Sequence, residues 1–217
     1  MKTLLGVCVS LSIIGGCSSI PNNNIAGGYI EAYKSITAYF MPSQAADIFT
    51  IQQIQNIPYA SMLLTIGKGS PGLVILESKV VNNNTWVSAD GIYFMLNRGR
   101  IVKVQGLENN LVDFRSSLED ITAVNNNIYK SYYSFDNPEL YNLEVSNNIL
   151  YQGEEIVDLF IGKKKLYLYK ETIVNDFLAW KEDNFFWVDD DGFVWKSIQH
   201  ISPLLPPIKY EVTKKPI

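Results

Sequence analysis

The pattern of apolar and polar residues changes at Pro58 and predicts a mainly β protein. After that residue, β-branched and aromatic residues alternate with polar ones in short runs that turn residues separate, which is typical of antiparallel strands. The predicted strands are 59–67, 72–81, 86–89, 92–97, 101–105, 141–152, 156–161, 166–174, 185–188 and 193–198. We therefore expect antiparallel sheets in a sandwich-like or barrel-like arrangement.

Only a few short helices are predicted. Apolar residues at helical spacing indicate helices over 30–40 and 111–124. A capping-box pair, Thr50 with Gln53, predicts a further short helix over 51–55.

Turns and the last strand are predicted from local composition. Glu154-Glu155 follows Gly153 and is expected to form a turn, and Asp189-Asp190-Asp191-Gly192 is expected to connect two strands of a hairpin. The proline-rich residues 203–217 leave room for one edge strand at 208–212.

Two short segments repeat at a distance of about half the domain. Residues 86–94 and 187–195 both read Trp-Val-x-x-Asp-Gly-x-x-aromatic. One interpretation of the match is two related β-units with a division near residue 125. The alternative is that each hairpin independently uses Asp-Gly, because that dipeptide suits a tight turn.

The first 28 residues are expected to be an export signal and a tether. Lys2, the apolar stretch 4–14 and the small residues before Cys17 follow the charged, apolar, small-residue order of an export signal. Ile14-Gly15-Gly16-Cys17 resembles the lipobox of bacterial lipoproteins. We therefore predict a signal peptide over 1–16, cleavage between Gly16 and Cys17, and acyl chains, such as palmitate, on Cys17.

The remainder divides into a tether and one domain. Residues 17–28 are rich in Ser, Asn and Gly and predict a flexible tether, followed by a β-rich periplasmic domain over 29–217. The position after Cys17 is Ser18; an Asp there commonly retains a lipoprotein in the inner membrane, so Ser18 favours the outer membrane.

Composition excludes some classes of partner and of catalytic chemistry. The formal net charge is −4, which argues against nucleic acid as a partner. The only cysteines are Cys8 and Cys17, so the β-rich domain has no disulfide and no thiol nucleophile. With one histidine, His200, a cluster of imidazole ligands is excluded, and no nucleophile motif accompanies it. No metal, cofactor or catalytic residue is assigned, and His200 is expected to be structural or exposed to solvent.

Acidic and aromatic residues leave two further interpretations open. Asp189, Asp190 and Asp191 are oxygen ligands that calcium accepts, but hairpin chemistry accounts for them as well. Trp86, Trp187 and Trp195 are candidate aromatics for stacking on sugar rings, the alternative being that they belong to the core of the sheet.

Several segments, in order, resemble one bacterial family. They are 54–62 (IQNIPYASM), Trp86 with 88–91 (SADG), 98–102 (RGRIV), Gly106-Leu107 and 186–199 (FWVDDDGFVWKSIQ). Together with the lipobox they resemble the group 4 capsule polysaccharide lipoprotein family (YjbF/GfcB type). The resemblance implies a mostly antiparallel β protein at the outer membrane, facing the periplasm. It provides no catalytic residues to transfer.

The resemblance also implies a function in making or exporting capsule or exopolysaccharide. Its partners would be membrane lipid through acylated Cys17, the surface polysaccharide, and outer-membrane polysaccharide export proteins. Within that setting we expect a non-enzymatic accessory protein. The alternatives are a carbohydrate-binding module and, less favoured, a glycan-modifying enzyme that uses carboxylates.

The N-terminal interpretation makes a direct prediction. Mass spectrometry of the native protein should show that residues 1–16 are absent and that Cys17 carries acyl chains. An unmodified thiol at Cys17, or an uncleaved leader, would contradict it.

Overall fold

Within the residues that the structure describes, turn residues divide the chain after Pro58 into twelve strands, and one short helix precedes them. The computed structural model describes residues 48–122 and 127–216, so the predicted helix over 30–40, the leader and Cys17 lie outside the described residues. The elements are α1 (Ile51–Gln55), β1 (Ser61–Ile66), β2 (Gly72–Val80), β3 (Asn83–Ser88), β4 (Tyr93–Asn97), β5 (Arg100–Gln105), β6 (Leu111–Ser116), β7 (Asn127–Asp136), β8 (Glu139–Leu159), β9 (Gly162–Asn175), β10 (Trp180–Val188), β11 (Val194–Gln199) and β12 (Ile208–Lys214). Throughout the described ranges, no helix has the length and apolar character needed to cross a membrane.

All twelve strands belong to one antiparallel sheet that is nearly closed and barrel-like. Each strand pairs with the next along the chain, and β12 returns to pair with β1. The exception among the described strands is β5 and β6, which follow one another in the chain but share no ladder of hydrogen bonds. The predicted mainly β, antiparallel fold is confirmed, in its barrel-like form.

The core lies on the inner face of this sheet. Strands from both ends of the described chain contribute to it, so residues on either side of position 125 share one core. Its largest fully buried side chains include Trp86, Phe94, Phe186 and Tyr210. Burying a large apolar side chain contributes about 1.5–3 kcal/mol, and these rings therefore supply much of the driving force for closing the sheet.

The long β8–β9 hairpin covers part of the outer face. Its tip reaches β12, where the Phe160 backbone N–H donates to the Glu211 carboxylate. Farther along, the Trp187 indole N–H of β10 donates to Glu155 of β8. Leu159 and Leu166 of the hairpin are buried. β10, β11 and β12 are thus covered on both faces, which explains why so many of their residues are inaccessible to solvent.

The helix predicted over 111–124 is wrong. Residues Leu111–Ser116 form β6, which pairs with β7. The register shifts between Leu111 and Asp113, so an extra residue, Val112, interrupts the alternation of inward and outward side chains. The apolar residues whose spacing suggests a helix, Phe114, Leu118 and Ile121, continue past the end of β6 into a segment that is neither helix nor strand.

Two other local predictions are also wrong. Glu154 and Glu155 do not form a turn but lie within β8, and the glycine before them, with φ +122°, marks a register shift between Tyr151 and Gly153. The strand predicted at the edge, 208–212, is instead β12, which pairs with both β1 and β11. Pairing overrides the local composition in both cases, with the neighbouring strand β9 for Glu154 and Glu155 and with the distant strand β1 for β12.

The helix cap and the Asp-Gly turns are confirmed. The Gln53 backbone N–H donates to the Thr50 hydroxyl oxygen, which caps α1 as the sequence predicts. In the β3–β4 turn, the Ile92 N–H donates to the Ser88 hydroxyl oxygen at 3.0 Å. In the β10–β11 turn, the Phe193 N–H donates to Asp189 at 2.9 Å. The two repeated segments therefore share a turn geometry, while their origin as related units stays a prediction.

The β4–β5 turn folds into the interior of the sheet. Gly99 has φ +87°, and its carbonyl oxygen accepts hydrogen bonds from the Tyr210 hydroxyl at 2.6 Å and from Gln199 Nε2 at 2.9 Å. The Ile101 N–H donates to Gln199 Oε1 at 2.9 Å. A Cβ atom on Gly99 would collide with the side chain of Val194. Position 99 therefore requires glycine both for its backbone conformation and for its close contact with β11.

Two alanine substitutions separate these requirements. Gly91 has a similar φ of +79°, but a Cβ atom there would meet nothing within 4 Å. Gly91→Ala should cost about 1–2 kcal/mol of unfolding free energy through backbone strain. Gly99→Ala should cost about 1–3 kcal/mol more, because the interior must also accommodate a methyl group. Urea unfolding followed by tryptophan fluorescence measures both, and equal losses would contradict the packed position of Gly99.

Candidate functional site

A charged pair lies inside the sheet, on the strand that leaves the β4–β5 turn. Arg100 donates to both carboxylate oxygens of Glu171, at 2.7 and 2.8 Å. Glu171 is fully buried on β9 and also accepts from Asn184 Nδ2, at 2.8 Å, and from the Tyr129 hydroxyl. Four donors therefore surround one carboxylate, which satisfies the buried negative charge.

Aromatic rings complete the surroundings of the Arg100 guanidinium. Its central carbon lies 5.4 Å from the centroid of the Phe114 ring and 5.1 Å from that of Phe186. Burial tends to lower the pKa of Arg100, but the Glu171 carboxylate outweighs burial and the pKa is raised above its ordinary value. The guanidinium thus stays charged, and the pair links β5 to β9 instead of exchanging protons.

The missing ladder between β5 and β6 coincides with a cleft. The cleft has a volume of about 580 Å³ and extends over β3, β4, β5 and β6. Its size falls in the range of about 300–1,000 Å³ that is usual for small-molecule sites. Arg98 and Arg100, from the inward-folded turn, form part of its wall. The cleft is therefore adjacent to the buried charged pair.

The lining of the cleft combines an apolar surface with polar groups. The apolar part consists of Met95, Val102, Val112, Phe114, Leu118 and Ile121. The polar part consists of Asn82, Asn83, Asn97, Arg98, Arg100, Lys103, Asp113, Arg115, Ser116 and Glu119. Such a surface can hold a molecule that has both a hydrocarbon face and hydrogen-bonding groups.

Ion pairs neutralise most of the charge around the cleft. Arg98 lies 3.1 Å from Asp120, and Arg115 lies 3.2 Å from Asp113. Arg115 also donates to the Asn142 side chain. With Arg100 paired to Glu171, three guanidinium groups each have a carboxylate partner.

The three candidate tryptophans do not form a common exposed surface. Trp86 is 2% exposed and belongs to the core, and Trp187 is 5% exposed under the β8–β9 hairpin. Trp195 is half-buried, and its indole N–H donates to Asp189 at 2.7 Å. Lys164 Nζ lies 4.5 Å from the centroid of the Trp195 ring. Of the three, only Trp195 keeps substantial solvent exposure.

The histidine and the acidic turn have local structural contacts. His200 Nε2 lies 3.5 Å from a Glu182 oxygen, and burial lowers the pKa of its imidazole. Asp189 accepts from two backbone N–H groups of its own turn and from Trp195. Among the residues in 48–122 and 127–216, no group of three or more His, Cys, Asp and Glu side chains could hold a metal ion.

Sequence reasoning missed both the charged pair and the cleft. One signal for the pair was present: Tyr169, Glu171 and Ile173 alternate along β9, which places a carboxylate at an inward position among apolar ones. No comparable signal existed for the cleft, because it results from a pairing that β5 and β6 fail to make.

Comparison with known families and proteins gives a consistent result. Residues 33–212 match the model of the family described as "Group 4 capsule polysaccharide lipoprotein gfcB, YjbF". The chain is 33% identical over 69 residues to a protein of Escherichia coli K12 named uncharacterized lipoprotein GfcB. This match covers 32% of the chain and only 32% of the length of that protein.

One solved structure shows the same fold. The crystal structure of the hypothetical lipoprotein YmcC from Escherichia coli K12 matches with a TM-score of 0.68 and 23% identity, over 81% of this chain and 94% of that one. A putative exported protein with a YmcC-like fold from Bacteroides fragilis matches with a TM-score of 0.36 and 8% identity, over 71% of this chain and 93% of that one.

The buried pair predicts a large and specific loss of stability. Glu171→Gln keeps the shape of the side chain but leaves Arg100 buried without a counter-charge, which should cost about 3–5 kcal/mol. The matched control is Glu144→Gln, because Glu144 forms an exposed ion pair with Lys130. That change should cost far less than Glu171→Gln, because solvent screens an exposed ion pair.

Urea unfolding measures both changes, and a double variant tests the reason. Replacing the pair by apolar side chains, Arg100→Met with Glu171→Leu, should recover stability relative to Glu171→Gln, since no charge then stays buried alone. Similar small losses for Glu171→Gln and Glu144→Gln would show that the pair is not held as described.

Proposed function

Because the chain belongs to the group 4 capsule polysaccharide lipoprotein family, we propose that it is a lipid-anchored, non-enzymatic accessory protein in the assembly or export of a capsule polysaccharide. The observation that carries this proposal is the extent of the family match. Residues 33–212 include β1 to β11 and most of β12, so the match involves the whole described sheet and not a single motif.

The anchor is the lipid on Cys17. Each buried CH₂ group of an acyl chain contributes about 0.8 kcal/mol to membrane binding, so two or three chains hold a protein on a membrane almost permanently. Ser18 supports transport to the outer membrane, where the β-rich domain faces the periplasm. The acidic net charge of −4 provides no electrostatic attraction to anionic lipid, which leaves the anchoring to the acyl chains.

A non-catalytic role is supported by how the buried ionisable groups are used. Glu171 and Arg100 neutralise one another inside the sheet. Glu211, whose pKa is raised by burial, accepts from the Phe160 backbone N–H and secures the β8–β9 hairpin. These groups stabilise the fold, and their partners leave them poorly available for proton transfer to a substrate.

The proposed mechanism is tethering. A lipid anchor confines the β-rich domain near the outer-membrane proteins that export the polysaccharide, which raises their effective concentration without any new contact. The partners are then those export proteins, the polysaccharide, or both.

Genetic variants of the anchor test this proposal. Deletion of the gene should reduce surface polysaccharide, and Cys17→Ser should reproduce that loss because the protein is no longer held at the membrane. Ser18→Asp should also reproduce it, although the protein stays lipidated, because an Asp after the cysteine retains lipoproteins in the inner membrane. Surface polysaccharide is quantified on whole cells, and membrane fractionation locates each variant.

The matched control is Ser19→Asp, which adds the same charge one residue later and should leave both location and polysaccharide unchanged. Normal surface polysaccharide in the deletion strain would overturn the proposed function. Normal polysaccharide with Cys17→Ser alone would overturn the requirement for the anchor.

A further inference from the structure

We propose that the cleft between β5 and β6 binds a short, uncharged segment of a polysaccharide chain. This inference rests on the proposed function and specifies the ligand class and the site, neither of which follows from the family match. Three properties of the cleft carry it: the open seam in the sheet, the balance of charge, and the asparagine side chains along one wall.

The open seam provides both space and hydrogen-bonding groups. β5 pairs only with β4, and β6 pairs only with β7, so each presents one edge without a strand partner toward the other. Backbone N–H and C=O groups along an edge without a strand partner can bond to a bound molecule, although the Ile101 N–H of β5 already donates to Gln199 Oε1. Sugar hydroxyl groups both donate and accept, and they can therefore use either kind of backbone group.

Charge balance selects an uncharged ligand. The guanidinium groups of Arg98, Arg100 and Arg115 each have a carboxylate partner, as described above. The remaining charged groups of the lining are the exposed Lys103 and Glu119, which have opposite signs. An acidic polysaccharide would gain little net attraction here and would meet the negative charge of Glu119.

Asparagine side chains of the lining can form hydrogen bonds to sugar hydroxyl groups. Asn82, Asn83 and Asn97 line the cleft, and Asn97 Nδ2 donates to Asn83 Oδ1 at 2.6 Å. This bond leaves Asn83 Nδ2 and Asn97 Oδ1 as a donor and an acceptor at neighbouring positions. Met95 and Val102 offer apolar contact to the hydrocarbon face of a sugar ring.

Titration calorimetry with the full-length lipoprotein in detergent tests the site. The probes are short oligosaccharides made from the capsule polysaccharide of the producing strain by partial acid hydrolysis and divided by anion exchange into neutral and acidic fractions. The neutral fraction should bind with a saturable signal. The double variant Asn83→Ala with Asn97→Ala should bind about tenfold more weakly, because two amide groups are lost.

Three further single variants keep the test independent of folding problems. Arg115→Ala changes an exposed side chain of the lining and should also weaken binding. Asn148→Ala, on β8, and Lys181→Ala, exposed on β10, lie outside the cleft and should bind as the wild type does. Thermal unfolding confirms that each variant is folded.

The outcomes separate this inference from the proposed function. No saturable binding of either fraction, tighter binding of the acidic fraction, or unchanged binding by the cleft variants would overturn the inference. The double variant is also introduced into the deletion strain. If the deletion strain lacks normal surface polysaccharide and the double variant restores it, the proposed function stands and the cleft is not its binding site.

Discussion

The inward-folded β4–β5 turn is the contact on which the rest of this sheet depends. Through Arg100 it joins β5 to Glu171 of β9, and through the Gly99 carbonyl oxygen it joins the same turn to Gln199 and Tyr210 of β11 and β12. In the order of strands across the sheet, these three strands are separated from β5 by at least four others. Because β5 and β6 share no ladder of hydrogen bonds, polar contacts across the interior hold β5 in place, as strand pairing does elsewhere in the sheet.

This arrangement also connects stability with the candidate site. An isolated buried carboxylate would be costly, and so would an isolated guanidinium, but together with Tyr129 and Asn184 they satisfy one another. The same turn continues into the wall of the cleft through Arg98. The cleft can therefore stay open without leaving the nearby interior unsupported. A sheet closed by a regular ladder at this point would have no such opening.

Local chemistry in the sequence accounts for most strands but not for the features that make the site. The Thr50 cap and the Asp-Gly turns depend on neighbouring residues, and the sequence predicted them. The helical spacing over 111–124 continues beyond the end of β6 and therefore suggests a helix, and Gly153 suggests a turn although it marks a register shift inside β8. The partners of β12, the Arg100–Glu171 pair and the cleft all depend on contacts between distant segments, which no local pattern encodes.

The pairing of β1 with β12 has a consequence for when the fold can be completed. Ser61 and Thr213 share a hydrogen bond at 2.9 Å although 152 residues separate them. Until β12 is available, β1 pairs only with β2 and β11 only with β10. The sheet is then open at the position that Tyr210 of β12 fills. Contacts of such long range slow folding. Closure of the sheet therefore has to wait for almost all of the described residues, because the last strand pairs with the first.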